Sequence, residues 1–162
     1  MANTLVESQL REVKAFLKDS NKRIEHFLNE TTLSALVQGD EDKLSYYQTI
    51  LSQLRKLLVY SEESLDTCAV LLQGTPFQKS AAERTLYRIY HQCIDEFFSP
   101  KNGAWYEDSR SAYTGRNSIK YHKPVPDSVS SVLRGLEAGF QQMREDLEYY
   151  ETDYRTKMMQ SK

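Results

Sequence analysis

Apolar side chains recur along this chain at alternating steps of four and three residues. In the first run, Val6, Leu10, Val13, Leu17, Ser20, Ile24 and Phe27 keep that rhythm. The spacing lays one stripe along one helical face and predicts a helix over 4–28 with a coiled-coil-like seam. Ser20, the one small polar member, is read as room beside a larger neighbour. Asn29-Glu30-Thr31-Thr32 breaks the pattern, and Leu33 to Val37 suit a short helical turn before Gly39. The rhythm resumes in Leu44, Tyr47, Leu51, Leu54, Leu58, Ser61, Leu65, Cys68 and Leu72. A second helix is expected over 40–72, with Asp40 as its N-cap and Gly74 just past its end. At 1.5 Å per residue it would span roughly 50 Å. The seam returns in Val129, Leu133, Leu136, Phe140, Met143, Leu147, Tyr150 and Tyr154, predicting a helix over 128–158. Its outer face carries Glu145, Asp146, Glu148, Glu151 and Asp153 and is read as solvated.

Between these lies a helix expected over 76–98, with both ends written in the sequence. Thr75 suits the N-cap, Pro76 the first turn, and Gln78 the third position of a capping box. Ser99-Pro100 ends it, because a residue before proline is pushed out of the helical region. Ala82, Leu86, Ile89, Tyr90, Cys93, Ile94, Phe97 and Phe98 form an apolar face too wide for one neighbour. This is expected to be an interior helix that the others cover. Only Gln73-Gly74-Thr75 separate it from the preceding helix, so those two must be antiparallel neighbours. The reading is all-α: a single domain of 162 residues, folded as an antiparallel four-helix bundle.

Residues 99–126 do not fit a plain bundle, whose helices need only about two to eight residues of connection. Trp105, Tyr106, Tyr113, Ile119 and Tyr121 are ordering residues rather than linker residues. Ile119 and Tyr121 alternate with polar neighbours as a strand would, and Thr114-Gly115-Arg116-Asn117 suits a turn. A small hairpin-like insert over one bundle end is expected. Its charges are Lys101, Arg110, Arg116, Lys120 and Lys123 against Glu107 and Asp108, an excess of three positive. With a net charge of -2 overall, the remainder therefore carries five negative charges.

Trp105, Tyr106, Arg110, Tyr113, Arg116 and Lys120 are the candidate binding residues, with Arg110 and Arg116 as anion or carboxylate contacts. Three readings compete. The aromatics can glue the insert to the helices while Arg110 pairs with Glu107 or Asp108. The surface can dock a protein or small anion. It can also bind nucleic acid by stacking and phosphate contacts, although three positive charges are few for that.

Composition narrows the rest. Hydrophobic content of 40% and charge of 27% fit a globular chain and argue against disorder. Cys68 and Cys93 fall inside helical patterns, as packed, reduced thiols would. No apolar run is long enough to span a membrane, and no leader-like segment is read at the start, so a cytoplasmic protein is expected. A di-iron site needs Glu-x-x-His, but Arg23, Arg88 and Ile119 stand three residues before His26, His91 and His122. No metal or other cofactor is expected. His26 with Glu30 and His91 with Asp95 are i,i+4 pairs, read as helix-surface hydrogen bonds. No phosphate loop or nucleophile elbow is present, and Cys93 is read as a core thiol.

The runs Pro76-Phe77-Gln78-Lys79-Ser80-Ala81-Ala82-Glu83, Leu86-Tyr87-Arg88-Ile89-Tyr90-His91-Gln92-Cys93, Trp105-Tyr106-Glu107-Asp108-Ser109-Arg110-Ser111-Ala112-Tyr113-Thr114-Gly115 and Tyr149-Tyr150-Glu151-Thr152-Asp153-Tyr154 together resemble the YpuI-like family. These are small proteins of unassigned function from Bacillus-type bacteria. The resemblance covers most of the chain. It implies a bacterial cytosolic setting and supplies no activity or site residues. The expectation from the residues is a non-enzymatic interaction or regulatory domain that meets an unidentified protein partner through 99–126, with a homodimer as one possible form. Nucleic-acid or small-anion binding by the same insert is the alternative. An enzyme using His91 or Asp108 is a third.

Overall fold

The computed structural model describes residues 3–108 and 118–160 and is mostly helical. The α-helices are α1 (Asn3–Glu30), α2 (Leu33–Val37), α3 (Leu44–Gln73), α4 (Lys79–Ile89), α5 (Asp95–Phe98), α6 (Asp127–Asp146), α7 (Glu148–Glu151) and α8 (Asp153–Gln160). A 3-10 turn, Glu41–Lys43, leads into α3, and a π-helical turn, Tyr90–Ile94, joins α4 to α5. Strands β1 (Tyr106–Glu107) and β2 (Ile119–Lys120) pair antiparallel, Tyr106 opposite Lys120 and Glu107 opposite Ile119.

All seven seam residues of α1 are buried. Thr32 caps α2, its hydroxyl oxygen accepting from Ala35 N at 3.2 Å. Helix α2 closes on Gln38, which takes a left-handed φ of 49°.

Two expected helix starts are displaced. Asp40 does not cap the long helix: its carboxylate lies 3.5 Å from Lys43 Nζ, and the α-helix begins only at Leu44. Likewise Thr75 does not cap the third helix and Pro76 is not in its first turn. The chain runs extended from Gly74, and the helix begins at Lys79. Phe77 is used in that connection, where it packs against the core instead of continuing a helical face.

The α3 seam is also shifted. Leu44, Leu58, Leu65 and Leu72 lie on its shoulder, half-buried, while Ile50, Gln53, Leu57 and Ser64 are buried. These buried polar positions have partners across the interface. Gln53 donates to Glu96 O and Glu96 Oε2, and Ser64 Oγ lies 3.7 Å from Cys93 Sγ. A buried amide with partners costs little, so polarity did not exclude these positions from the core.

Helix directions follow from such pairs. Descending α3 from Ser64 to Gln53 ascends from Cys93 to Glu96. Ascending from Phe16 to Arg23 on α1 descends α6 from Phe140 to Gly135. Tyr87, His91 and Phe97 face Tyr154, Glu151 and Phe140 in turn. Each of these contacts is antiparallel. All eight apolar residues named for the third helix are buried.

The expected 128–158 helix is interrupted at Leu147 and Thr152. Thr152 and Thr156 hydroxyls bond back to the carbonyls four residues earlier, at 3.3 and 3.1 Å, a habit that bends helices. The buried face survives the interruptions, with Met143, Leu147, Tyr150 and Tyr154 all inside. Among the described residues no helix is long and apolar enough to cross a membrane.

An aromatic nucleus lies where α1, α5 and α6 meet. Phe97 stacks on Phe140 at 4.1 Å with planes 2° apart. Phe16 meets Phe140 edge-on at 4.8 Å, and Phe98 meets Phe97 at 5.0 Å.

Two outcomes are expected. Phe140→Ala removes the shared ring and should cost about 3–5 kcal/mol, read from denaturant unfolding. Cys68 and Cys93 are free and buried; burial, with Cys93 adding, pushes the Cys68 thiol up to about 12. Its ordinary value is 9.0. Because the unfolded thiol ionises first, this group's contribution is complete below that value and is lost as pH rises towards 12. Ellman's reagent at pH 8 should therefore find neither thiol in the native protein, and both in denaturant.

Candidate functional site

The described residues 99–108 and 118–126 are held from three helices. Trp105 is 1% exposed and its indole N–H donates to Phe97 O at 2.5 Å. From α3, Tyr46 Oη donates to Ala104 O at 2.6 Å and accepts from His122 N at 3.0 Å. Tyr47 Oη donates to Pro124 O at 3.0 Å. From α6, Glu137 accepts from both the amide and the hydroxyl of Ser118, each at 3.3 Å. Arg144 grips Glu107 with two bonds of 2.9 and 2.7 Å, donates to Gln141 Oε1, and lies 3.7 Å over the Phe98 ring. Planar bidentate pairing of this kind is specific to arginine.

The predicted binding residues therefore separate. Trp105 is a core residue and offers no surface to a partner. Tyr106 is 43% exposed, its ring 5.0 Å from that of His122. Lys120 is half-buried. Arg110, Tyr113 and Arg116 lie outside the described residues. Glu107, one of the two acids considered for Arg110, is held by Arg144.

Beside β2 an open cleft of about 530 Å³ is lined by Ile119, Lys120, Tyr121, Ser130, Arg134 and Glu137. Lys120 comes from the strand and Arg134 from the exposed side of α6. Neither side chain makes a hydrogen bond or ion pair among the described residues. Burial raises the Tyr121 phenol, so it stays a neutral hydrogen-bond donor at ordinary pH. Glu137 is buried in the cleft wall and bound to Ser118. Arg134 carried no signal in the sequence, since it sits one position from the Leu133 seam and far from the insert.

A second polar cluster lies on the π-turn. His91 Nδ1 is 3.3 Å from Asp95 Oδ2, and His91 Nε2 is 3.2 Å from Glu151 Oε2 on α7. Ligating atoms of the three residues lie within 4.8 Å of one another, so the group is capable of holding a metal ion. The Tyr87 ring meets the imidazole edge-on at 4.5 Å. Tyr90 is pushed up to about 12 by burial, with Asp95 and Glu151 adding. Burial also raises Asp95, against the lowering effect of His91. The i,i+4 relation of His91 and Asp95 was legible; Glu151, sixty residues on, was not.

Residues 10–156 match the family described as protein of unknown function DUF3907. A curated relative, described as the uncharacterized protein YpuI of Bacillus subtilis (strain 168), is 40% identical over 151 residues. That match covers 93% of this chain and 84% of the relative. No solved structure matches the chain. The chain belongs to the DUF3907 family.

The Arg144–Glu107 pair should be the energetic hinge of the segment. A double-mutant cycle with Arg144→Ala and Glu107→Ala should give a coupling of about 1–3 kcal/mol in urea unfolding. Arg144→Ala alone should cost more than Glu107→Ala, because it also uncovers Phe98.

Proposed function

We propose that this family member is a non-enzymatic docking domain that receives a carboxylate group of a partner polypeptide in the cleft beside β2. It is read as a four-helix bundle, with α1, α3, the α4–α5 unit and α6–α8 as its four members and 99–126 as the insert. Free, buried thiols support a reducing, cytoplasmic setting. What supports the binding role is the convergence of Lys120 and Arg134 on one cleft without an acidic partner among the described residues. Tyr121 adds a hydroxyl donor, and Ile119 gives an apolar wall. Because Glu137 shares the wall, the two cations leave an excess of one positive charge. A single carboxylate matches that charge. A polyphosphate strand does not, and the acidic remainder of the chain would repel it.

Chemical-shift mapping with a short acidic peptide tests the proposal. Shifts should centre on Lys120, Tyr121 and Arg134 and weaken with salt, as charge-led binding does. Lys120→Ala with Arg134→Ala should abolish them while stability changes by no more than about 0.5 kcal/mol, because both are surface positions. Tighter binding of a single-stranded oligonucleotide by the same residues would favour the nucleic-acid reading. Shifts elsewhere, or none, would defeat both.

A further inference from the structure

We infer that His91 and Glu151 hold a divalent transition-metal ion on the π-turn, with Asp95 orienting the imidazole from its other nitrogen. The inference begins from an unmet requirement. His91 Nε2 and Glu151 Oε2 are both shut off from solvent and neither has a hydrogen-bond partner, although they face each other at 3.2 Å. Asp95 Oδ2, 3.3 Å from Nδ1, favours the tautomer with its proton on that nitrogen. Nε2 then presents a lone pair to a carboxylate oxygen. Two such atoms repel unless a proton or a metal ion lies between them.

The spacing fits an ion. Two ligands each about 2.0–2.1 Å from a tetrahedral metal are separated by about 3.3 Å. A carboxylate bonded to the far nitrogen of a ligating histidine is the usual outer support of such sites. Charge agrees as well. Asp95 and Glu151 bring two negative charges, and Arg144, which acts on Asp95, is also bound to Glu107. Imidazole nitrogen with carboxylate oxygen suits Zn²⁺ or Mn²⁺ better than Mg²⁺ or Ca²⁺, which prefer oxygen alone. His91 and Glu151 side chains are 31% and 34% exposed, so the two covered atoms lie close to the surface.

The π-turn places the group. A π-turn inserts one residue into the helical register and re-aims the side chains beside it, and such turns cluster at functional sites. It sets His91 towards α7 while Tyr90 and Cys93 remain buried. The ion would thereby tie α7, a helix of one turn, to the α4–α5 unit.

Calorimetric titration of the full chain with zinc chloride at pH 7.5 tests this. One saturable site is expected, with affinity at least tenfold lower in His91→Ala and in Glu151→Gln. Asp95→Asn should weaken it about 10–100-fold, as loss of an outer-shell partner does. Because a variant can lose its fold, the wild-type imidazole resonances are followed by ¹⁵N NMR. His91 Nε2 should shift with zinc before His26 or His122. The proposal is overturned if no saturable site exists, if both variants bind as wild type, or if Mg²⁺ binds equally well. It is overturned too if His91 carries protons on both nitrogens at pH 7.5 and zinc leaves them in place, because a proton then bridges the two groups.

Discussion

The parallel stack of Phe97 on Phe140 is the contact through which the rest of the fold communicates. Each ring is already fully buried, so neither can shift without opening the core. Phe16 fixes the stack to α1, and Phe98 turns edge-on to Phe97 so that its other surroundings include the Arg144 guanidinium. The Phe97 carbonyl takes the Trp105 indole N–H, which makes the end of α5 the landing point of the following segment. Four stretches distant in sequence thus share one small volume. Aromatic pairs in offset or edge geometry contribute beyond their buried area, and here each ring serves more than one pair.

This nucleus explains how the described residues 99–108 and 118–126 keep their place with two short strands among them. A two-stranded ribbon is marginal by itself in water. Its ends are instead tied to helices by side chains whose partners are backbone groups: Tyr46 on Ala104 and His122, Tyr47 on Pro124, Trp105 on Phe97. Such bonds fix a path irrespective of which side chains the path carries. The exposed residues Tyr106 and His122 and the half-buried Lys120 therefore face solvent in whole or in part.

Periodicity was informative where burial is decided by one helix against its neighbours. The seams of α1 and of α6 with its continuation were readable at every position named, although Asn21 and Glu137 are buried there as well. It was incomplete in α3, where Gln53 and Ser64 are inside because α5 and the π-turn supply partners that no local pattern announces. It failed at the helix starts. Asp40 and Thr75 have the right chemistry for caps, but Lys43 draws the first aside and the reversal after Gly74 extends past the second. Trp105 was legible as an ordering residue and misleading as a contact residue, since its burial depends on α5. The cleft and the His91 cluster were the least legible. The cleft needs Ser130, Arg134 and Glu137 of α6, and the His91 cluster needs Glu151 sixty residues on, and Arg134 and Glu151 read locally as ordinary solvated surface.

One guanidinium links the two polar regions to the core. Arg144 stacks on Phe98, holds Glu107 of β1, and is one of the charges that lower Asp95. While Glu107 stays paired, the guanidinium charge is shared between that carboxylate and Asp95, which it still lowers. Were β1 to draw Glu107 away, the same charge would fall on the cluster and oppose any cation there, since close charges in a partly desolvated site interact strongly. The strand pair therefore does more than bridge two helices. Its hold on Arg144 sets the electrostatic condition under which His91, Asp95 and Glu151 meet.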